Sequence, residues 1–388
     1  MQYILVLFAG VILLNLVFGR KYNRICLAAT VCAFGVLAFF VVPTKNMDLY
    51  RYINVMELYR DVGWHWVLKN DTGSNPLAAV FFYAASLVDD NRFLPMITVL
   101  LTYGFSIALL YKAKKDFGAK HADMMLALVF FLLNFNLCYV IDVVRIYICF
   151  AVMAFFLYVD IVEKKHRWLC WIVYLALCYV HYAMLVFVLI RLYFAVTRKL
   201  KGLFMAISML LLPVLLRVGY SMIIRFDGSS SVLLGTMSDK AQGYMDYDVF
   251  GIWQFLASIC HLMFFTLLCV LMLWCCVSAH QKTVPYSARE TDCDCKRLNI
   301  GRTRDMVVFC LYIIFTVLTF ADNYQFLLRT TYFILILMAP MLLALLTKLH
   351  NMNRPYRLNM FVLITLESLL YFGYLIVYVY TVLTFSFS

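Results

Sequence analysis

NFNLCYVIDVVRIYICFAVMAFFLYVDIVEKKHRWLCWIVYLALCYVH, residues Asn134–His181, sets a charged pair, Asp142 and Arg145, beside an apolar run. A basic clip, Lys164-Lys165-His166-Arg167, follows it, and then a histidine inside a second apolar run. Ionisable groups next to lipid-spanning segments are costly to keep, so each is a functional hypothesis by default. The rest of the chain decides which side of a membrane these groups face and what they meet there.

The 388 residues are 65% hydrophobic and 14% charged, with a mean hydropathy of +0.87. A soluble domain carries roughly 25% charged residues. The apolar residues fall in blocks of about 15–25, the length that crosses a hydrocarbon core of roughly 30 Å. The composition therefore predicts an all-α, polytopic transmembrane helical bundle. The net charge of +12 follows from Lys and Arg on cytoplasmic loops and is no argument for nucleic acid. Most of the 13 cysteines lie in apolar runs and read as small buried hydrophobes. Cys293-Asp-Cys295 is a short polar pair, a weak metal signal beside two ordinary loop thiols. Met1–Gly19 has neither a basic start nor a small-residue cleavage site, so it reads as a first span rather than a cleaved signal.

Arg20, Lys21 and Arg24 place the first turn in the cytoplasm and set the parity of everything after it. Ile25–Val42 returns outward. Thr44–Asn75 is then an outer loop, in which Leu49, Tyr52, Ile53, Met56 and Tyr59 recur at helical spacing ahead of Trp64 and Trp66. That pattern predicts a helix in the interface. Pro76–Val88 is too short to cross and reads as a re-entrant or tucked outer helix. Phe93–Tyr111, Met124–Val140 and Val143–Val162 follow as spans. Trp168–Phe194 is either two short spans turning near His181 or one tilted helix holding it at mid-membrane.

Leu203–Val218 crosses outward, with Pro213 placed to kink it. An outer loop, Gly219–Val249, precedes the span Phe250–Val277, and Ser278–Arg304 is a basic cytoplasmic loop. Met306–Phe320, an outer turn Ala321–Leu328, Arg329–Leu346 and Leu358–Leu383 complete roughly twelve crossings, with both termini outside. No internal repeat separates the chain into halves, and residues 1–388 read as one integral membrane domain.

This topology gathers four polar clusters on the outer face: Asp48–Arg51–Tyr52, Asp142–Arg145, His181, and Asp322–Arg329–Tyr332. Arginine forks match phosphate oxygens, and a histidine can take a proton near neutral pH. Such a set suits transfer from a lipid-pyrophosphate sugar. Each cluster also has a structural reading. Asp142 and Arg145 can pair within one turn, Asp48 and Arg51 can be a solvated pair, His181 can be a buried hydrogen-bonded residue, and Arg329 can snorkel to headgroups.

The order and spacing of these residues resemble the EpsG-type, Wzy-like polysaccharide polymerases of bacterial envelopes. The resemblance rests on Asp48-x-x-x-Tyr52 after the second span, on Arg145 opening an inward helix with Ala151 and Ala154 after it, on His181-Tyr-Ala after a short apolar run, and on Arg329-x-x-Tyr332-Phe333 with Pro340 downstream. Asn46-Met47 stands where the family pattern carries a glycine before the aspartate.

The resemblance implies a GT-C-like fold in the bacterial plasma membrane and a glycosyltransferase, and because no acidic cluster has metal spacing, the expectation is a metal-independent enzyme with no cofactor. It would join undecaprenyl-pyrophosphate-linked oligosaccharide repeat units on the extracytoplasmic side. Arg145, Arg329, His181 and Asp48 would be catalytic, and Arg51, Tyr52, Asp142, Asp322 and Tyr332 would bind substrate. A chain-length regulator and a flippase of the same pathway are the implied partners, besides membrane lipid. The alternatives are a lipid-linked glycan flippase or transporter, and another envelope transferase: an O-antigen ligase, a GT-C glycosyltransferase or a membrane acyltransferase.

Overall fold

The computed structural model describes residues 2–45, 47–70, 75–200, 202–225, 252–281, 290–349, 362–368 and 384–385. The side chains of 2–5, 223–225, 252–257, 275–281, 290–302, 324 and 384–385 are outside that description. Most of the expected outer loop Gly219–Val249 and of the last span Leu358–Leu383, and the thiols of Cys293 and Cys295, therefore lie outside the described residues. The chain forms two compact units, one of Met1–Phe155, Tyr179–His181 and Leu342–Ser388, the other of Phe156–Cys178 and Tyr182–Met341.

In the first unit, α1 (Gln2–Phe39) is folded on itself. Tyr22 leaves helical geometry at φ −118°, ψ 40°. Asn15 Nδ2 donates to Thr30 Oγ1 at 2.8 Å, and Phe8 meets Phe34 edge-on at 5.0 Å. A continuous helix would hold residues 15 apart at about 22 Å. The two arms are thus antiparallel and reverse within Arg20–Arg24, where the sequence predicts its first turn. The helix α4 (Phe93–Phe117) runs antiparallel to the second arm, with Phe93 on Phe39, Tyr103 stacked on Phe34, and Tyr111 bonded to Arg24 Nε at 2.7 Å. At the C-terminus of α4, Gly118 adopts φ 62°, and Ala119 N–H returns to Lys114 O at 3.0 Å. This left-handed cap turns the chain into α5 (His121–Asn134).

β1 (Val41–Val42) pairs antiparallel with β2 (Thr384–Phe385), so the C-terminal segment returns to the end where α1 finishes. The expected outer helix is α2 (Asp48–Asn70), which buries Leu49, Met56, Tyr59 and Val67. It packs on α3 (Pro76–Ser86), a short helix with proline in its first turn. Arg60 fastens the two, with Nε on Ser86 O at 2.7 Å and Nη2 on Val88 O at 2.9 Å. Its guanidinium satisfies carbonyls that the end of α3 leaves open.

The expected span Met124–Val140 is broken. After α5, Asn134-Phe135-Asn136 interrupts the helix, and Asn136 Oδ1 caps α6 (Leu137–Asp142) through Cys138 N–H at 2.9 Å. Val143 is non-helical, and α7 (Val144–Leu157) follows. Phe135 and Tyr147 lie 6.1 Å apart. The 12 residues between them would cover about 18 Å of helix, so the chain bends back at Asp142–Val143.

In the second unit, a π-helical turn (Tyr158–Glu163) extends α7 and ends on Lys164 at φ 59°. Next come α8 (Arg167–Val180), α9 (Met184–Thr197) and α10 (Gly202–Arg225). Arg191 lies 5.6 Å from the Trp171 ring, although 20 residues of helix would separate them by about 30 Å. Hence α8 and α9 form a hairpin that turns at His181–Ala183, and the single tilted helix is excluded. Then follow α11 (Ile252–Gln281), α12 (Glu290–Thr319) and α13 (Tyr324–Leu349). The predicted cytoplasmic loop Ser278–Arg304 is helical from Glu290, and the predicted outer turn Ala321–Leu328 is helical from Tyr324. A hydroxyl chain joins three of these helices: Tyr312 OH meets Ser208 Oγ and donates to Thr197 Oγ1 at 3.1 Å, while Tyr193 OH donates to Ser208 O.

Five described helices are long and apolar enough to cross a membrane: Val6–Phe39, Phe93–Phe117, Val144–Glu163, Gly202–Met222 and Gln325–Leu349. The first consists of the two antiparallel arms described above. Five more apolar stretches, α8 and α9 among them, have 10–17 residues. The fourteen residues of α8 or of α9 make about 21 Å, less than a hydrocarbon core.

Candidate functional site

The N-terminus of α2 lies against the bend between α6 and α7, and this contact assembles five of the predicted residues. Asp142 Oδ1 accepts the Leu49 N–H at 3.3 Å. A carboxylate there offsets the open N–H groups and positive end of the helix. One turn on, Tyr52 OH receives Arg145 Nε at 3.3 Å, and the guanidinium carbon lies 5.3 Å from the ring centroid. The Tyr52 ring also stacks on Phe82 of α3 at 4.8 Å and 19°. Tyr52 thus links α2 both to Arg145 of α7 and to Phe82 of α3.

Asp142 and Arg145 do not share a helical turn, because Val143 breaks the helix between them. Each reaches across to α2 instead. Asp48 pairs with Arg51 at 3.2 Å in an i,i+3 bridge, and the Arg51 side chain is 64% exposed. Arg51 is therefore the solvated partner of Asp48, and its side chain is directed at that carboxylate.

The remaining predicted residues belong to other elements. His181 is buried in the turn between α8 and α9. Arg329 and Tyr332 lie on α13, with Tyr332 fully buried. Arg329 does not open its helix as the sequence suggests, since α13 starts five residues earlier at Tyr324. Asp322 grips Arg217 of α10 through both oxygens, at 2.9 and 2.5 Å. The Arg217 guanidinium holds the Asp322 carboxyl below the usual carboxylate range. Asp322 is thus engaged with a residue that the sequence reading did not single out.

The sequence reading also passed over a buried ion pair. Asp160, in the π turn, meets Arg191 of α9 at 2.6 Å, with 0% and 6% of the side chains exposed. Tyr174 OH approaches the same oxygen at 3.3 Å, and Arg167 Nε is 3.9 Å from the other. Trp171 and Phe194 cover the guanidinium. A signal was present, because both charges stand inside runs that are otherwise apolar.

No family model, curated protein or solved structure matches the chain. The chemistry of the site therefore rests on its own geometry. Among the described residues, no group of three His, Cys, Asp or Glu side chains is arranged to hold a metal ion. Arg145 makes its hydrogen bond through Nε, and its ring contact leaves the planar Nη edge as a fork of donors. Such a fork binds two oxygens of one phosphate.

Proposed function

We propose that the chain is a polymerase of undecaprenyl-pyrophosphate-linked oligosaccharide repeat units, in the bacterial plasma membrane with its site on the extracytoplasmic side. The observation that carries this reading is Arg145, set on Tyr52 beside Asp48 and Asp142. In the first unit this group lies at the end opposite Arg20–Arg24, since α4 runs from Phe93 at one end to Tyr111 at the other. If the basic turn is cytoplasmic, as cation bias favours, Arg145 faces the side where finished repeat units are displayed.

In this reading Arg145 holds the donor pyrophosphate and offsets its growing charge as the sugar leaves. The bond from the anomeric carbon to the pyrophosphate oxygen breaks. A bond from that carbon to the acceptor hydroxyl oxygen forms, and undecaprenyl pyrophosphate departs. The acceptor's proton passes to His181, or to Asp48 in its place. Tyr52 and Asp142 fix the arginine and the helix end that present the site.

The test is the glycan ladder of cells carrying variants in place of the wild-type chain. Arg145→Lys keeps the charge and loses the fork. It should abolish long chains while single repeat units and membrane-inserted protein persist. Normal ladders from that variant overturn the assignment, and loss of the single units themselves points to an earlier step.

A further inference from the structure

The basic clip between α7 and α8 takes no part in the site above, and its backbone is unusual. Lys164 and His166 both have positive φ, 59° and 46°, and neither is glycine. Left-handed geometry is strained for a residue with a Cβ. Glycine or asparagine would turn the chain there without that strain or with less of it. The positions are instead filled by cationic side chains, and the strain exposes the whole run 164–169. Lys164 is committed to Asp305 at 3.6 Å, and Arg167 points one edge at Asp160. Among the described residues, no side-chain partner meets Lys165 or His166.

Two further features lie at the same end of the hairpin. Because α9 is antiparallel to α8, Arg198 and Lys199 return to the level of the clip, both exposed. From the clip, an apolar stripe then runs along the open face of α8 through Trp168, Ile172 and Leu175, with Trp168 69% exposed. The facing stripe on α9 ends in Val196, 76% exposed. The acids nearby are Asp160, Asp305 and Glu163, the first two already engaged with cations.

We propose that this knuckle is a binding site for an anionic membrane phospholipid. The phosphate is held by Lys165, His166 and Arg167, with Arg198 and Lys199 beside them. The acyl chains lie along Trp168, Ile172 and Leu175. Charge complementarity selects the headgroup, and continuity of cations with a bare apolar stripe selects a molecule that carries a tail. A soluble phosphate would leave the stripe unused. Cations at a membrane surface contribute about 1 kcal/mol each toward anionic lipid, roughly a fivefold preference per residue.

The test places the full-length protein in phosphatidylcholine nanodiscs containing a minor share of lipid with brominated tails, which quench nearby tryptophan. Brominated phosphatidylglycerol should quench more than brominated phosphatidylcholine in the wild type. The excess should vanish in Trp168→Phe, which removes the reporter. It should fall at least fivefold in Lys165→Gln with His166→Asn, where asparagine tolerates the left-handed turn. Unchanged quenching by the phosphatidylcholine probe in that double variant shows that the fold is kept. Equal quenching by the two lipids in the wild type overturns the proposal. So does an excess that survives Trp168→Phe, or one that the double substitution leaves unchanged.

Discussion

Asp160 and Arg191 form an ion pair of 2.6 Å with almost no exposed side-chain surface, joining the π turn after α7 to the middle of α9. The pair ties α9 to the π turn. Two of its polar atoms, Asp160 Oδ1 and Arg191 Nη1, have no hydrogen-bond partner in the structure. Removing one charge leaves the other buried and uncompensated, at a cost of about 3–5 kcal/mol. Asp160→Ala or Arg191→Ala should therefore cut the thermal stability of the detergent-solubilised protein sharply. Asp160→Leu combined with Arg191→Met should recover most of it. Additive losses in a double-mutant cycle would show that the two charges are not coupled.

Gly63 interrupts α2 at φ 76°, ψ 172°, a region that only glycine populates readily. A Cβ built there has no neighbour within 4 Å, so any cost of substitution is backbone strain alone. Gly63→Ala should destabilise by about 1–3 kcal/mol. The variant should also loosen the Trp64–Tyr83 contact, 4.9 Å between centroids, that follows the break. Circular dichroism melts together with tryptophan emission check both effects. A neutral Gly63→Ala would mean that α2 is straight at this point.

The Asp322–Arg217 pair gives a dependence on pH. Because the folded state lowers the Asp322 pKa, its contribution is present above the unfolded carboxylate value of about 3.9. It is lost as pH falls through the lower folded value. The carboxylate is 47% exposed, so screening limits the whole effect to about 1 kcal/mol or less. Asp322→Asn should be slightly less stable than wild type at pH 6. The two should converge as the pH falls through the lowered folded value, and high salt should narrow the gap at pH 6. A gap that widens on acidification would contradict the pairing.

The sequence carried the helical class, the reversal at Arg20–Arg24 and the short helices α2 and α3, because each is written in runs of apolar residues and their interruptions, while it left the turn at His181 as one of two alternatives. It did not carry the break at Asn134–Asn136. Two asparagines within an apolar run leave the period intact, and only the cap on Cys138 shows that the helix ends. Partner choice was hidden for a similar reason. Asp142 and Arg145 stand three apart and read as an i,i+3 pair, but Val143 breaks the helix between them. Asp322 and Arg217 are 105 residues apart, and nothing local in the sequence joins them. Asp160 and Arg191 were visible as charges in apolar runs. Their pairing depended on knowing that α8 and α9 fold back.

Tyr52 does two separable things for Arg145: its hydroxyl accepts a hydrogen bond and its ring supports the guanidinium. Tyr52→Phe removes the first and keeps the second, including the stack on Phe82. A hydrogen bond to a charged group contributes about 1.5–3 kcal/mol, so the freed arginine would sample several rotamers and bind an anion less well. In the polymerase reading, Tyr52→Phe should slow chain growth by about tenfold or more, while Tyr52→Ala, which also drops the stack, should resemble Arg145→Lys. Stability should separate the two variants further, because only Tyr52→Ala leaves a hole between α2 and α3. If Tyr52→Phe supports normal ladders while Tyr52→Ala abolishes them with the protein still folded, the ring alone positions Arg145 and the 3.3 Å hydrogen bond is incidental.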